Sequence, residues 1–521
     1  MAKLKSKAFF SGISYLQVIV LVTIFALALG IRMGMILMAP KNLPYYGMSI
    51  PVADAARNLV EGRGYVIDEE YVTSIVSKVA KEGPCDIADV APPSEETFTP
   101  YYALPPGTSI LLAGTYWVFG EYRWIYLRVI EAIIDSFGCV LMFLIGKALF
   151  SSRVGLIAAF LYAIWLPIAY LSTWPLHDAL IPFITLVCLY FFIMGVKQKR
   201  IIFYILAGLF SGLGCYFQPS LLLLPVAFGI GLLIYEIRKI DVWRHVAQAA
   251  KVTVIMMVVL VLVISPWVIR NYRVTGAVFG MRITVWTLLW EGFAEFGDAP
   301  VDASVDDVKT QAIASRELGY DVKYGTPEVE AVIRPKVLNA IKEHPLWYLS
   351  LVARRVPRAV CNFSELGLNI HPLIRTDYSA WIRYLYSDSP SRVGYVTALK
   401  TMVRGLGDGS FWNMLIRHPY GTFYFGLVWF FAIVPPLLSL VAFWLARRNW
   451  RPLVLVAAVP VYFIGLAAFT SATSYKSIVP ASLGYIILSA IVIDHVYQSI
   501  KGRRRSNSIP SLEMCKESQM V

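Results

Sequence analysis

PVADAARNLVEGRGYVIDEE (Pro51–Glu70), TFTPYYALPPGTSILLAGTYWVFG (Thr97–Gly120) and YRWIYLRVIEAIID (Tyr122–Asp135) lie within the stretch from Pro40 to Asp135, just after the first long apolar run of the chain. A membrane protein has little reason to hold so much polar chain between two crossings. Before Pro100 the acids (Asp54, Glu61, Asp68, Glu69, Glu70, Glu82, Asp86, Asp89, Glu95, Glu96) outnumber the bases. A short apolar helix after Pro105-Pro106-Gly107 then returns the chain to the bilayer. The stretch reads as the reacting face of a membrane-embedded protein whose remaining spans are its scaffold.

Composition sets the class. Of 521 residues, 57% are hydrophobic, 14% aromatic and 16% charged, whereas a soluble domain carries about 25% charged residues. Apolar runs recur at the length one hydrocarbon crossing needs, about 20 residues. The formal net charge of +13 comes mainly from short basic clusters between spans. That pattern orients a membrane protein, and nucleic acid is excluded as a partner. The N-terminal run continues to about Met38 without a small-residue cleavage site, so it reads as a retained span. Six cysteines (Cys85, Cys139, Cys188, Cys215, Cys361, Cys515) show no CxxC and no zinc spacing. Only Cys85 and Cys361 share a polar side and could pair.

The basic clusters give the sides. They are Lys3, Lys5 and Lys7; Lys147 and Arg153; Lys197, Lys199 and Arg200; Arg238, Lys239 and Arg244; Arg447, Arg448 and Arg451; and Lys501 with Arg503, Arg504 and Arg505. If all are cytoplasmic, spans come in pairs between them. The sequence then predicts an all-α polytopic protein with about ten crossings, near 13–38, 126–149, 153–173, 178–196, 201–217, 219–236, 250–269, 422–446, 452–471 and 476–497. Both termini are inside, and Gly107–Gly120, too short to cross, stays at the outer face. The expected organisation is 1–39, tail and first span; 40–125, first outer loop; 126–269, helix bundle; 270–421, second outer segment; 422–497, last spans; 498–521, tail. In the second outer segment VEAVIRPKVLNAIKEH reads as an amphipathic helix and PLWYLSLVARRVPRAV as an Arg-bearing interfacial helix. From Asn362 to Pro419 no periodicity is legible. No internal repeat is evident, which weighs against inverted-repeat transporter folds.

Ionisable groups at the bilayer are expensive and mark function by default. Asp54 sits on the helix-like run DAARNLVEG beside Arg57 and Asn58; the alternative role for Asp54 is the helix N-cap. Arg128, Glu131 and Asp135 share one helix face, as an internal ion pair or, for Arg128, as part of a site. His177 and Asp178 form the outer turn WPLHDAL, where Asp178 could instead cap the next helix. Arg270, Asn271 and Tyr272 end a span after Pro266-Trp267, and an arginine fork there suits phosphate oxygens.

ADAARNLVEGRGY, LPPGTSILLAGTYWVFG, LR before the next span, FSSRVGLIAAFLYAIWLP, AGLFSGLGCYFQP and SPWVIRNY occur in that order. Together they resemble the GT-C superfamily of integral-membrane glycosyltransferases, in the branch of protein O-mannosyltransferases, lipid A aminoarabinose transferases and their bacterial relatives. The resemblance covers Leu16 to Gly292. It implies a polyprenyl-phosphate sugar donor, an active site at the outer leaflet, inversion by direct displacement, and a catalytic acid in the first outer loop with arginines on the departing phosphate. The family acid lies about eight residues before Ala56, where this chain has Met48. Asp54 is the nearest carboxylate and the expected base, with Asp178 matching the acid of the second outer loop. Arg57, Arg128, His177, Arg270, Asn271 and Tyr272 are the expected substrate-binding residues. No cofactor or metal site is expected, although a divalent ion stays compatible with the class. The expected partners are the lipid-linked sugar, a glycan, lipid or protein acceptor, and membrane lipids, in a bacterial inner or plasma membrane. A lipid or sugar-lipid transporter and a non-catalytic assembly partner are the rival readings.

Overall fold

The computed structural model describes residues 14–39, 49–82, 87–91, 97–174, 177–237, 241–304, 306–361, 379–381, 383–384, 395–470 and 478–507. Met48 and the Cys85–Cys361 pair lie outside what is described. Cys139, Cys188 and Cys215 are buried thiols.

The first apolar run forms α1 (Tyr15–Met38), opened by a capping box in which Ser14 and Gln17 each bond the other's backbone N–H. The polar stretch then folds as a small layer: α2 (Ser49–Val60), a hairpin of β1 (Val66–Asp68) and β2 (Phe98–Pro100), and α3 (Glu69–Glu82). Pro51 sits in the first turn of α2, where its missing N–H costs nothing. Gly62 at φ 76° and Gly64 at φ 87° turn the chain from α2 into β1. The strands are antiparallel, with Ile67 opposite Thr99. The chain then enters α4 (Gly107–Phe119), which packs on α2. At 13 residues α4 is about 20 Å long, short of a hydrocarbon core of about 30 Å. Gly107 has no room for a Cβ, which would stand 2.6 Å from the Tyr216 carbonyl oxygen, so this close approach fixes where α4 begins.

The bundle follows: α5 (Trp124–Ser136), α6 (Gly138–Leu149), α7 (Ser152–Ala163), α8 (Leu166–Leu171), α9 (Leu180–Gln198), α10 (Ile201–Cys215), α11 (Leu224–Glu236) and α12 (Val242–Thr275). Glycines let these helices approach closely, as where Gly146 and Gly155 join α6 to α7. Beyond it, α13 (Val285–Phe293), α14 (Asp307–Leu318), α15 (Pro327–Glu343) and α16 (Pro345–Cys361) share an apolar core around Phe293 and Ile333. Buried Arg355 ties this unit together, bonding Glu295, the Gly292 carbonyl and the Ala468 carbonyl. Then come α17 (Tyr395–Asp408), α18 (Ser410–Arg417), α19 (Pro419–Leu445), α20 (Arg451–Phe469) and α21 (Ser482–Asn507).

The architecture is all-α apart from the two-stranded hairpin. Among the described residues, eight helices are long and apolar enough to cross a membrane. At the other two expected crossings the chain forms apolar helices shorter than a crossing needs, Ser152–Ala163 and Ile201–Cys215. The first is shortened because Trp165-Leu166-Pro167 breaks the helix and restarts it as α8. The stretch 362–419, without legible periodicity, contains α17 and α18. They are amphipathic and pack on each other.

Candidate functional site

Asp54 is not a cap. Helix α2 begins at Ser49, five residues earlier, so Asp54 lies inside it and is fully buried. Its Oδ2 accepts the Asp68 backbone N–H at 2.6 Å and Asn58 Nδ2 at 3.3 Å. Asn58 also donates to the Val66 carbonyl at 3.1 Å. The pair thus ties α2 to the hairpin. Arg57 Nη2 stands 3.2 Å from Asp54 Oδ1, an ion pair by distance but without hydrogen-bond alignment, and its guanidinium lies over the Tyr71 ring at 4.2 Å. Burial pushes the Asp54 carboxyl up to about 6, against the opposing pull of the Asp68 N–H and Arg57.

Arg270, near the end of α12, reaches back over the same hairpin. It donates to the carbonyls of Tyr101 (2.6 Å) and Tyr65 (3.0 Å) and to Asn271 Oδ1 (3.1 Å), while its plane lies over Trp267 and Tyr65. The fork that suits phosphate oxygens is here matched to two backbone carbonyls. Asn271 is buried beside it, whereas Tyr272 is 53% exposed.

A second polar cluster lies between α5 and the turn before α9. Arg128, Glu131 and Asp178 are each at most 5% exposed. The single turn His177–Ala179 packs against both helices, and Glu131 feels the charges of Asp178 and Arg128. Glu131 Oε1 has no hydrogen-bond partner among the described residues. The His177 side chain lies outside the described residues. The first turn of α5 also carries Trp124 and Leu127, which share an apolar core with α2 and α4. Helix α5 therefore packs against the layer that holds Asp54. One turn deeper, Asp135 is engaged: Arg32 of α1 and the Tyr162 hydroxyl both donate to it. The ion-pair reading of Asp135 holds, with Arg32 as its partner.

The structure assembles a further ionisable group that the sequence reading left out. Tyr324 donates to Glu291 Oε1 at 2.8 Å, and Asp307 and Arg282 stand close enough for their charges to act on the same carboxyl. Burial raises Glu291 to about 8. Neighbouring Glu330 accepts the backbone N–H groups of Trp286 and Thr287 at 2.9 Å each. No signal but the density of charge in 282–330 points to this group, because its members come from two helices, α13 and α14, and two separate loops. No cluster of three or more metal-ligating side chains occurs among the described residues.

The expected residues thus fall into two sets. Asp54, Arg57, Arg270 and Asn271 meet at the hairpin, while Arg128 and Asp178 meet at the α5–α9 corner. Tyr272 joins neither. Arg32 was missed, although a lone arginine in an apolar span is a signal in itself.

The family model of dolichyl-phosphate-mannose-protein mannosyltransferase matches residues 103–269, about a third of the chain. No curated protein matches. Solved structures resembling the chain include the oligosaccharyltransferase AglB from Archaeoglobus fulgidus with an inhibitory peptide and a dolichol-phosphate. It is 14% identical, with a TM-score of 0.49 over 95% of this chain and 52% of that one. The same organism's oligosaccharyltransferase with Zn and sulfate gives 14% identity and a TM-score of 0.45, over 93% and 50%. The chain spans about half the length of these proteins.

Proposed function

We propose that this chain, a membrane glycosyltransferase of the GT-C type by its family match, moves a sugar from a polyprenyl-phosphate-linked donor to an acceptor at the outer face, by direct displacement. The observation that carries the reading is the buried Arg128–Glu131–Asp178 cluster, on α5, which packs against α4, and on the turn before α9. It offers what a lipid-phosphate leaving group requires: a carboxylate near a fixed guanidinium, in a corner of low dielectric where each charge acts strongly. The acceptor hydroxyl attacks the anomeric carbon as the bond from that carbon to the phosphate oxygen breaks. The hydroxyl proton passes to Asp178, and the phosphate departs toward Arg128. A placed carboxylate base contributes typically 10²–10⁴-fold.

Between the two carboxylates singled out from the sequence, Asp178 is the better base. Asp54 is spent on the Asp68 N–H and on Asn58 and has no exposed surface. Its role is to hold α2 against the hairpin, and Arg270 holds the hairpin from the other side. The test is turnover of a polyprenyl-phosphate sugar by Asp178→Asn and Asp54→Asn. Loss in the first with donor binding retained, and near-normal turnover in the second, is the expected outcome. The reverse result returns the base to Asp54.

A further inference from the structure

The end of the bundle opposite these clusters carries two depressions that adjoin. One is a basin of about 940 Å³ where the end of α9, the end of α11 and the starts of α12 and α20 converge. Among the described residues its charged lining is mixed: Lys199, Arg244 and Arg451 against Glu236 and Asp241, with His245 beside them. Both non-glycine residues with a left-handed backbone among the described residues, Lys199 (φ 54°) and Asp241 (φ 64°), line this basin. Such conformations cost free energy and cluster where the surrounding structure enforces a geometry. The other depression is an apolar groove of about 580 Å³ between α11 and α20. Its floor is cut by small residues, Ala227 and Gly231 on one helix and Ala457, Ala458 and Gly465 on the other.

The two join end to end. Ile234 of the groove is followed by Tyr235 and Glu236 of the basin, and Val454 of the groove stands one turn from Arg451 and Pro452. Arg451 bonds the Ile237 carbonyl at 3.2 Å and so fixes the junction. From Ile234 to Leu223 the groove follows α11 for about 16 Å at 1.5 Å per residue, close to one leaflet of a hydrocarbon core about 30 Å thick. An apolar slot one leaflet deep beneath a charged basin has the form of a single phospholipid. The mixed signs favour a headgroup with a phosphate and a primary ammonium. The bases meet the phosphate, and Glu236 and Asp241 accept from the ammonium.

We propose that this cleft binds an aminophospholipid of the phosphatidylethanolamine type, in the leaflet opposite the proposed active site. It is not the donor site. The charged end of the cleft lies a full α9 away from Asp178, about 30 Å at 1.5 Å per residue. An occupant whose phosphate sits in the basin therefore cannot present a sugar to Asp178. Bound there, the lipid fills the seam between α11 and α20.

The experiment is native mass spectrometry of the full chain, with dioleoyl phosphatidylethanolamine, phosphatidylglycerol or phosphatidylcholine added to the delipidated protein. Phosphatidylethanolamine is expected to be retained at least fivefold over the other two. Lys199→Gly with Arg244→Gln removes two charges and relieves a left-handed lysine. Gly465→Leu fills the groove at a position where a Cβ meets nothing within 4 Å. Each should abolish that preference while the protein keeps its melting temperature. Equal retention by wild type and variants overturns the proposal, as does a preference for phosphatidylglycerol. Displacement of the retained lipid by polyprenyl phosphate would assign the groove to the donor and also overturn it. Release by glycerophosphoethanolamine as effectively as by the whole lipid would leave a free phosphate ester as the ligand and no lipid site. None of these outcomes depends on whether Asp178 is the base.

Discussion

Two polar clusters are built from the same residue types, and they differ in what their polar groups touch. At the hairpin, Asp54 and Arg270 are matched to backbone: one accepts the Asp68 N–H, the other donates to the Tyr65 and Tyr101 carbonyls. At the α5–α9 corner, Glu131 feels the charges of Asp178 and Arg128, and its Oε1 has no hydrogen-bond partner among the described residues. A carboxylate or guanidinium whose bonds go to the main chain orders the fold, because those partners cannot leave. One held among other side chains can exchange a partner for substrate. Residue type therefore does not separate the two clusters, whereas the partners of Asp54, Arg270 and Glu131 do.

The largest effect that can break this comparison is on turnover. Asp178→Asn should lower the rate by about 10²–10⁴-fold with donor binding intact, while Asp54→Asn stays within a few-fold. Equal losses in both would erase the distinction between the clusters. Next comes the deeper pair. Arg32→Met leaves Asp135 buried with only the Tyr162 hydroxyl and should cost about 3–5 kcal/mol, the range for breaking a buried pair. Thermal unfolding in detergent reads this, and Arg32→Met with Asp135→Leu should recover most of the loss. A single variant as stable as wild type would show that the pair bears no load.

The third prediction is a pH dependence. The folded Asp54 carboxyl titrates at about 6, against an ordinary 3.8. Between those values the folded state holds a proton that the unfolded chain releases, so stability falls as pH rises from about 4 to about 6 and is then level. Two pKa units amount to about 3 kcal/mol at most. Asp54→Asn keeps an acceptor for the Asp68 N–H and should flatten that slope, melting no lower than wild type at pH 7. An unchanged slope in the variant would assign the titration to another group. The smallest effect sharpens the tie at Arg270. Arg270→Lys loses the planar fork that meets both carbonyls and should cost about 1.5–3 kcal/mol, the worth of one hydrogen bond to a charged group, with donor affinity unchanged. Weakened donor binding without loss of stability would instead make Arg270 a phosphate ligand.

What the sequence determined by itself follows from physics that acts along the chain. A crossing is set by the length and polarity of one run, so the helical membrane class and most of the spans were legible. Order and spacing of local motifs carried the GT-C resemblance, and residues 103–269 bear it out. Asp178 stood out as a candidate because its turn directly precedes a span. The start of α2 was not, since an aspartate before AARNLVEG is a good cap and Pro51 reads as a break, yet a proline in the first turn costs the helix nothing. Only the tertiary structure decided the partners. Asp135 meets Arg32 from 103 residues away, and Arg270 meets Tyr65 from 205. In each case a buried polar group must be matched wherever packing brings a partner. No run of neighbouring residues encodes which partner that is, because the choice depends on how whole helices pack.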